Sequence, residues 1–194
     1  MQFEVRSISP SVARQAVSSW HYLGNKPFRC GHAVGLFDGT ALVGAAVFHG
    51  LSAPETAVGA FGLGRTDQAG LWELGRLVLA PHLNGDNVGT WFLSRALKSL
   101  RVSHVVRAVI SYADSSLHNG GIYRAASFVS CGLTTTKADY FIDGRIQERG
   151  PTKGRGGEWR PRPRKHRFVK VYDHKLTLRW PTVDQLQLQA KSTP

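Results

Sequence analysis

The sequence predicts one α/β domain: a mixed, mostly antiparallel central sheet flanked by helices, with a basic C-terminal extension. Three observations lead there. Strand-length apolar runs and segments of helical period follow one another as strand, helix, hairpin, strand, helix, strand, helix, strand, strand. A strand–helix–strand crossover sits in the middle of a chain otherwise joined by short turns, which gives a sheet of mixed direction. The 194 residues, 42% of them hydrophobic, suffice for one core and are too few for two comfortable ones.

The elements follow in order. Phe3 to Ile8 alternates as a strand does. Ser9-Pro10 supplies an N-cap and a first-turn proline, opening a helix to about Ser19. Trp20 to Gly24 reads as a loop. Ala33–Phe37 and Ala41–Phe48 are apolar runs joined by Asp38-Gly39-Thr40, a hairpin signal. Pro54 to Ala69 is Gly-rich and poorly patterned, so a loop is expected. Leu71 to Leu79 is a strand, and Pro81 to Asp86 a polar turn. Val88, Trp91, Phe92, Leu93, Ala96, Leu97 and Leu100 then give Asn87–Leu100 a helical period. Val105 to Tyr112 is nearly continuous in apolar residues, as in a strand buried on both faces. A loop at Asp114–Leu117, a short helix at Gly120–Phe128, a strand at Thr134–Ile142 with a turn at Asp143-Gly144, and a last strand at Phe168–Tyr172 complete the domain. Residues 1–180 are expected to form this unit, with the basic stretch 145–170 inside it. The polar tail, 181–194, is expected to fray.

Composition narrows the function. No stretch approaches the roughly 18 apolar residues of a membrane helix. Met1 to Arg6 carries charges and no apolar core, so no secretory signal is expected. Cys30 and Cys131 match no zinc spacing and read as reduced thiols of a cytosolic protein. Lys and Arg number 25 against 13 Asp and Glu, a net charge of +12, which attracts polyanions. Arg145 to Lys170 holds ten of the cations and two Glu, so +8 is concentrated there. Prolines stiffen Arg160-Pro161-Arg162-Pro163-Arg164, and the nearby Trp159 indole can stack on a base. Arg155, Trp159, Arg160, Arg162, Arg164, Lys165 and Arg167 are therefore the nucleic-acid-binding candidates. The plainer reading is a solvated basic loop.

Two strand–turn–helix units are the candidate chemistry. After Leu71–Leu79, the helix start at Asn87, Val88, Gly89 and Thr90 offers unpaired backbone N–H groups to an anion. N-acetyltransferase-like enzymes hold the pyrophosphate of coenzyme A on such a turn. Their usual Gln/Arg-Gly-x-Gly/Ala sequence is missing here, however, and Asp86 would repel a phosphate. In the second unit a buried strand delivers Ser111, Tyr112 and Asp114 to its end, followed by His118 and Tyr123. Strand ends of this kind collect catalytic groups. Asp114 suits holding or deprotonating an amine, and Tyr123 suits protonating a leaving group; capping of a turn and core packing are the plainer roles. Glu73 and Arg76 are opposite charges in an apolar strand. Three positions apart, they are expected on opposite faces, so that at least one lines a cleft.

Tyr112-Ala113-Asp114 with His118-Asn119-Gly120-Gly121-Ile122-Tyr123 resembles the Mom family of phage DNA-modification proteins, as do Trp20-His21-Tyr22 and Glu73-Leu74-Gly75-Arg76-Leu77. The resemblance spans roughly residues 15 to 140 and implies an N-acetyltransferase-like (GNAT) fold. It implies an enzyme that places a carbamoylmethyl group on adenine N6 in DNA, in the host cytoplasm, protecting phage DNA from restriction. The implied site is His21, Tyr22, Glu73, Arg76, Ser111, Asp114 and Tyr123. For the acyl donor, glycyl-tRNA suits the charge excess and the product, and acetyl-coenzyme A suits the fold. His21, Tyr22 and Asp114 would offer an iron-type ion nitrogen and oxygen donors, too scattered a set to assign a metal. The rival readings are an acetyltransferase of a protein or small amine, and a non-enzymatic nucleic-acid binder.

Overall fold

All the predicted strand-forming runs but one find their place in one sheet; the run at 134–142 supplies a strand of a second, smaller sheet. A computed structural model of the chain describes residues 2–83, 87–147 and 156–191. Among the described residues, the main sheet contains β1 (Phe3–Ser7), β2 (His32–Asp38), β3 (Ala41–Gly50), β4 (Leu71–Leu79), β5 (Ala108–Asp114), β6 (Val129–Leu133) and β10 (Lys165–Val171). Their spatial order is β1-β2-β3-β4-β5-β10-β6. The β4–β5 pair is parallel and the other five pairings are antiparallel. A smaller antiparallel sheet, β8-β7-β9, is made by β7 (Lys137–Ile142), β8 (Arg145–Gln147) and β9 (Glu158–Arg162). Pro161 lies on the edge strand β9, where a missing N–H costs no ladder bond to a further strand.

Helices cover both faces of the main sheet. α1 (Pro10–Trp20) starts where Ser9 Oγ accepts a hydrogen bond from the Val12 N–H at 3.3 Å. Its Ala13, Ala16 and Val17 pack on Ala45, Val47 and Val78. α2 (Glu55–Phe61) covers Leu71, Ala108 and Ile110 on the same side. On the opposite face, α3 (Val88–Ser103) buries Phe92, Leu93, Ala96, Leu97 and Leu100 against Val34, Leu36, Ala46, Phe48 and Val109. The short α4 (Gly121–Ala125) follows β5.

Two irregularities shape the centre. The parallel β4–β5 pairing runs from Leu71↔Ala108 to Leu74↔Ser111 and stops, so the carboxyl ends of the two strands part. Just there, the β3–β4 register shifts: Phe48 faces Leu74 and Val47 faces Arg76, leaving Gly75 as an extra, bulged residue.

The structure departs from the sequence reading in three places. The expected loop at 54–69 contains α2, a seven-residue helix closed by Gly62 in the left-handed conformation. The single strand expected at 134–142 begins only at Lys137, and a separate strand, β6, with Gly132 at φ +68° near its end, precedes it. The tail expected to fray contains α5 (Val183–Lys191). Its N-terminus is closed by reciprocal bonds, Gln185 N–H to Thr182 Oγ1 at 3.2 Å and Thr182 N–H to Gln185 Oε1 at 2.8 Å.

Candidate active site

The parted ends of β4 and β5 open into a cleft of about 720 Å³ on the α1/α2 face of the sheet. Its walls come from the loop after α1 (His21, Tyr22), the end of β3 and start of α2 (His49, Ser52, Thr56), β4 (Glu73 to Leu77), β5 (Tyr112 to Asp114), the end of β9 (Arg162) and the start of β10 (Lys165, Arg167). Of the seven catalytic candidates, His21, Tyr22, Glu73, Arg76, Asp114 and Tyr123 line it. Ser111 does not: it is buried beneath, and its hydroxyl donates to the Leu74 carbonyl at 3.1 Å.

Glu73 and Arg76 share this face, against the alternation rule. The bulge at Gly75 inserts one residue between them, and the parity resets. They are not a bridge. Both Glu73 oxygens accept from Ser52, Oε1 from the backbone N–H at 3.1 Å and Oε2 from the hydroxyl at 2.6 Å. Arg76 donates from one Nη to the Gly75 carbonyl at 2.7 Å and lies 5.4 Å from the Phe28 ring centroid, while its buried Nε makes no hydrogen bond. Arg167 behaves alike, stacked over Trp180 at 4.6 Å with an unpartnered buried Nε. Burial pulls both guanidinium pKa values down from the ordinary arginine range.

Tyr123 reaches the cleft from α4, on the far side of the sheet, by passing through the split between β4 and β5. Its ring stacks on Phe168 at 4.8 Å, and its hydroxyl bonds with Ser111. Burial holds this phenol, and that of Tyr112, above the usual tyrosine range, so both are proton donors at neutral pH. α4 sits this close because Gly120 has no side chain. A Cβ at Gly120 would overlap the Phe168 ring, and its φ of +74° also favours glycine.

At the cleft mouth, Tyr22 stacks on His21 at 4.4 Å and tilts against His118 at 5.7 Å. The Leu23 N–H donates to His21 Nδ1 at 3.1 Å. Burial, then Arg76 and His118, pull the His21 pKa from 6.5 to about 4. The ring is therefore neutral near pH 7 with its proton on Nε2, a hydrogen-bond donor. Asp114 both lines the cleft and caps a turn, accepting from the Ser116 N–H at 2.9 Å and the Ser116 hydroxyl at 2.6 Å. The Ser116 bonds hold its pKa below the usual carboxylate value, so Asp114 stays ionised; it suits holding a cationic or N–H group better than removing a proton. Among the described residues, no three His, Cys, Asp or Glu gather as a metal site.

The other candidates divide. Arg162, Lys165 and Arg167 line the cleft; Arg162 makes a two-pronged ion pair with Asp139. Trp159 and Arg160 lie outside it on β9, Trp159 exposed beside Tyr140 and Arg160 over Phe141 at 4.7 Å. Arg164 is tied to the Thr134 carbonyl at 2.6 Å. Arg155, and the Asn84-Gly85-Asp86 turn, lie outside the described residues. The start of α3 is separate from the cleft: Asn87 and Thr90 border a shallow depression with Trp91, Ser94, Arg95 and Lys98, and Asn87 makes no side-chain cap bond. Val88 is half-buried, and a Cβ on buried Gly89 would come within 2.9 Å of Ile122 in α4. Sequence reasoning missed His49 and Ser52, which the sheet register and the turn after β3 bring into the wall; Tyr112, expected at the end of its strand, is in the wall as well.

A family model described as the Mom protein family matches residues 2–176. The chain belongs to the Mom family. No curated protein sequence matches it. Among solved structures, it is similar to an acetyltransferase of the GNAT family from Streptococcus pneumoniae, with TM-score 0.55 and 10% identity over 88% of this chain and 100% of that one. It is also similar to Arabidopsis thaliana NAA60 in complex with acetyl-CoA, with TM-score 0.55 and 11% identity over 88% and 98%. The ribosomal-protein-S18-alanine N-acetyltransferase from Escherichia coli gives TM-score 0.53 and 10% identity over 91% and 99%. This Mom-family chain therefore carries the N-acetyltransferase fold.

Proposed function

We propose that this chain transfers an acyl group to the exocyclic N6 of adenine in DNA, the first step toward N6-carbamoylmethyladenine, which shields phage DNA from restriction in the host cytoplasm. One observation carries the reading: a single cleft at the strand split combines an ionised carboxylate (Asp114) and a phenol (Tyr123) with two partly buried guanidinium groups (Arg76, Arg167) whose Nε atoms have no partner. Such cations suit a phosphate-bearing substrate such as a nucleic acid. Adenine N6 is paired inside a duplex, so the base must be extruded or taken from a single strand. Tyr22, half exposed at the mouth, and Trp180, in the wall, are the aromatic surfaces for it.

The product follows if the transferred group is glycyl. The ester carbonyl is attacked by N6, giving an amide with a free amine. That amine closes on ring carbon C6 through a five-membered spiro intermediate, and expulsion of the original nitrogen leaves the carbamoylmethyl amine. Glycyl-tRNA is the donor this favours, and the positive surface suits an RNA. Acetyl-coenzyme A is the second reading. It is favoured by the fold and by Arg95 and Lys98 beside the start of α3, but leaves the product's amide nitrogen without a source. The test is purified protein with duplex DNA and each donor separately, digested nucleosides being read by mass spectrometry. A modified adenine with glycyl-tRNA supports the reading. Acetylation of protein or small amines with DNA untouched overturns it.

A further inference from the structure

His49 has no part in the chemistry described so far, yet it is a buried histidine in the cleft wall. It ends the apolar run of β3 and stands directly opposite Glu73 on the antiparallel β3–β4 ladder, so both side chains leave the same face. The imidazole Nδ1 is 2.7 Å from the Gly50 carbonyl. A carbonyl only accepts, so Nδ1 carries the proton and Nε2 has the lone pair. Nε2 points to the bulge: a Cβ on Gly75 would overlap it. Among the described residues Nε2 has no hydrogen-bond partner, and it is not sealed from the cleft. Glu73 Oε2 lies 4.0 Å from Nδ1, and Ser52 fixes that carboxylate with two hydrogen bonds.

We infer that His49 is the general base of the transfer, removing the proton from the attacking amine through Nε2, with Glu73 as a positioning residue behind it. This rests on the acyl-transfer reading above. The amine nitrogen attacks the donor carbonyl carbon, and its N–C bond forms as the proton passes to Nε2. The C–O bond to the leaving group breaks with its electron pair, and that oxygen takes a proton from the Tyr123 hydroxyl. The imidazolium charge so formed lies beside the Glu73 carboxyl group; solvent then takes the proton from His49 and returns one to Tyr123. Glu73 itself is a poor candidate for the base, because both of its oxygens already accept from Ser52. The Gly75 bulge makes room for the ring. The other titratable groups in the cleft wall around it are Arg76 on β4, Tyr112 and Asp114 on β5, Glu55 on α2, and Lys165 and Arg167 on β10.

Two measurements on the full chain test this. Diethyl pyrocarbonate carbethoxylates accessible, unprotonated imidazole nitrogens, and peptide mass spectrometry then locates the label. The inference expects labelling of His49, with protection by an adenine-containing oligonucleotide. An unlabelled His49 overturns it, whatever the acceptor. In single turnovers on DNA, the wild-type rate should rise with pH. His49→Gln should flatten that rise and slow transfer on the order of 10²–10⁴-fold, and imidazole should restore part of the rate to His49→Ala. Unchanged pH dependence in His49→Gln, or a uniform loss without imidazole rescue, overturns the inference. A wild type that labels at His49 but leaves DNA unmodified counts against the DNA reading alone; the same pH series is then run on a small-amine acceptor.

Discussion

His21 and His49 line one cleft in opposite tautomers. His21 accepts a backbone N–H at Nδ1 and so carries its proton on Nε2; His49 donates from Nδ1 to a backbone carbonyl and so keeps a lone pair on Nε2. One ring is a donor and the other an acceptor, set by two local backbone hydrogen bonds. A site that must bind a polarised acceptor atom and also take up a proton needs both kinds.

The His21 ring gives a pH prediction. Its folded-state pKa is depressed, from 6.5 to about 4, by burial and by Arg76 and His118. Below pH 6.5 the unfolded chain takes a proton that the folded chain refuses until near pH 4. The stability contributed by the neutral ring is whole above 6.5 and drains away as pH falls toward 4. Urea midpoints of the wild type should therefore fall more steeply over that window than those of His21→Gln. Parallel pH profiles would show that the ring titrates normally.

Arg76 and Arg167 should each neutralise a phosphate of the bound nucleic acid. Arg76→Gln and Arg167→Gln are expected to weaken DNA binding and to flatten the log–log salt dependence by about 0.9 for each phosphate left without its guanidinium. Fluorescence anisotropy across a salt series reads both effects. An unchanged slope would mean that the guanidinium groups serve only the fold.

Asp114 separates into a cap and a charge. Asp114→Asn keeps an oxygen for the Ser116 bonds and loses the anion. Thermal unfolding should move by less than about 1 kcal/mol, while turnover falls by roughly 100-fold or more, in the range of a lost acid–base or positioning group. Equal turnover in wild type and Asp114→Asn would reduce the residue to its capping role.

Trp159 is exposed on the small sheet, away from the cleft. If it stacks on a base, Trp159→Ala should cost about 1–3 kcal/mol of nucleic-acid affinity. The midpoint of thermal unfolding should shift little, since more than half of the residue is exposed. Affinity equal to the wild type's would remove the small sheet from the binding surface.

Much of the fold was legible because period and turn chemistry agreed: Ser9-Pro10 opened α1, Asp38-Gly39 joined β2 to β3, and the α3 pattern buried Phe92, Leu93, Ala96, Leu97 and Leu100, with Trp91 left exposed. The short α2 was not legible, since seven residues with an internal glycine carry little periodic signal. In the site, the motif residues were readable one by one, while their relations were not. Glu73 and Arg76 were expected on opposite faces; the lone Gly75 within the strand was the one local sign of the bulge that brings them together. His49 closes an apolar strand, and its chemistry depends on Glu73, its partner in register, and on Gly75, whose missing side chain leaves it space. Those are long-range facts, settled by pairing across the sheet rather than by local sequence.

The measurement closest to the central claim is the nucleoside composition of DNA from bacteria expressing the chain, compared with Asp114→Asn and Tyr123→Phe. N6-carbamoylmethyladenine in the wild-type culture, lost or strongly reduced in both variants, is the predicted result. DNA with unmodified adenine in every culture, or with equal modification in all three, would contradict an adenine-modifying site at the strand split.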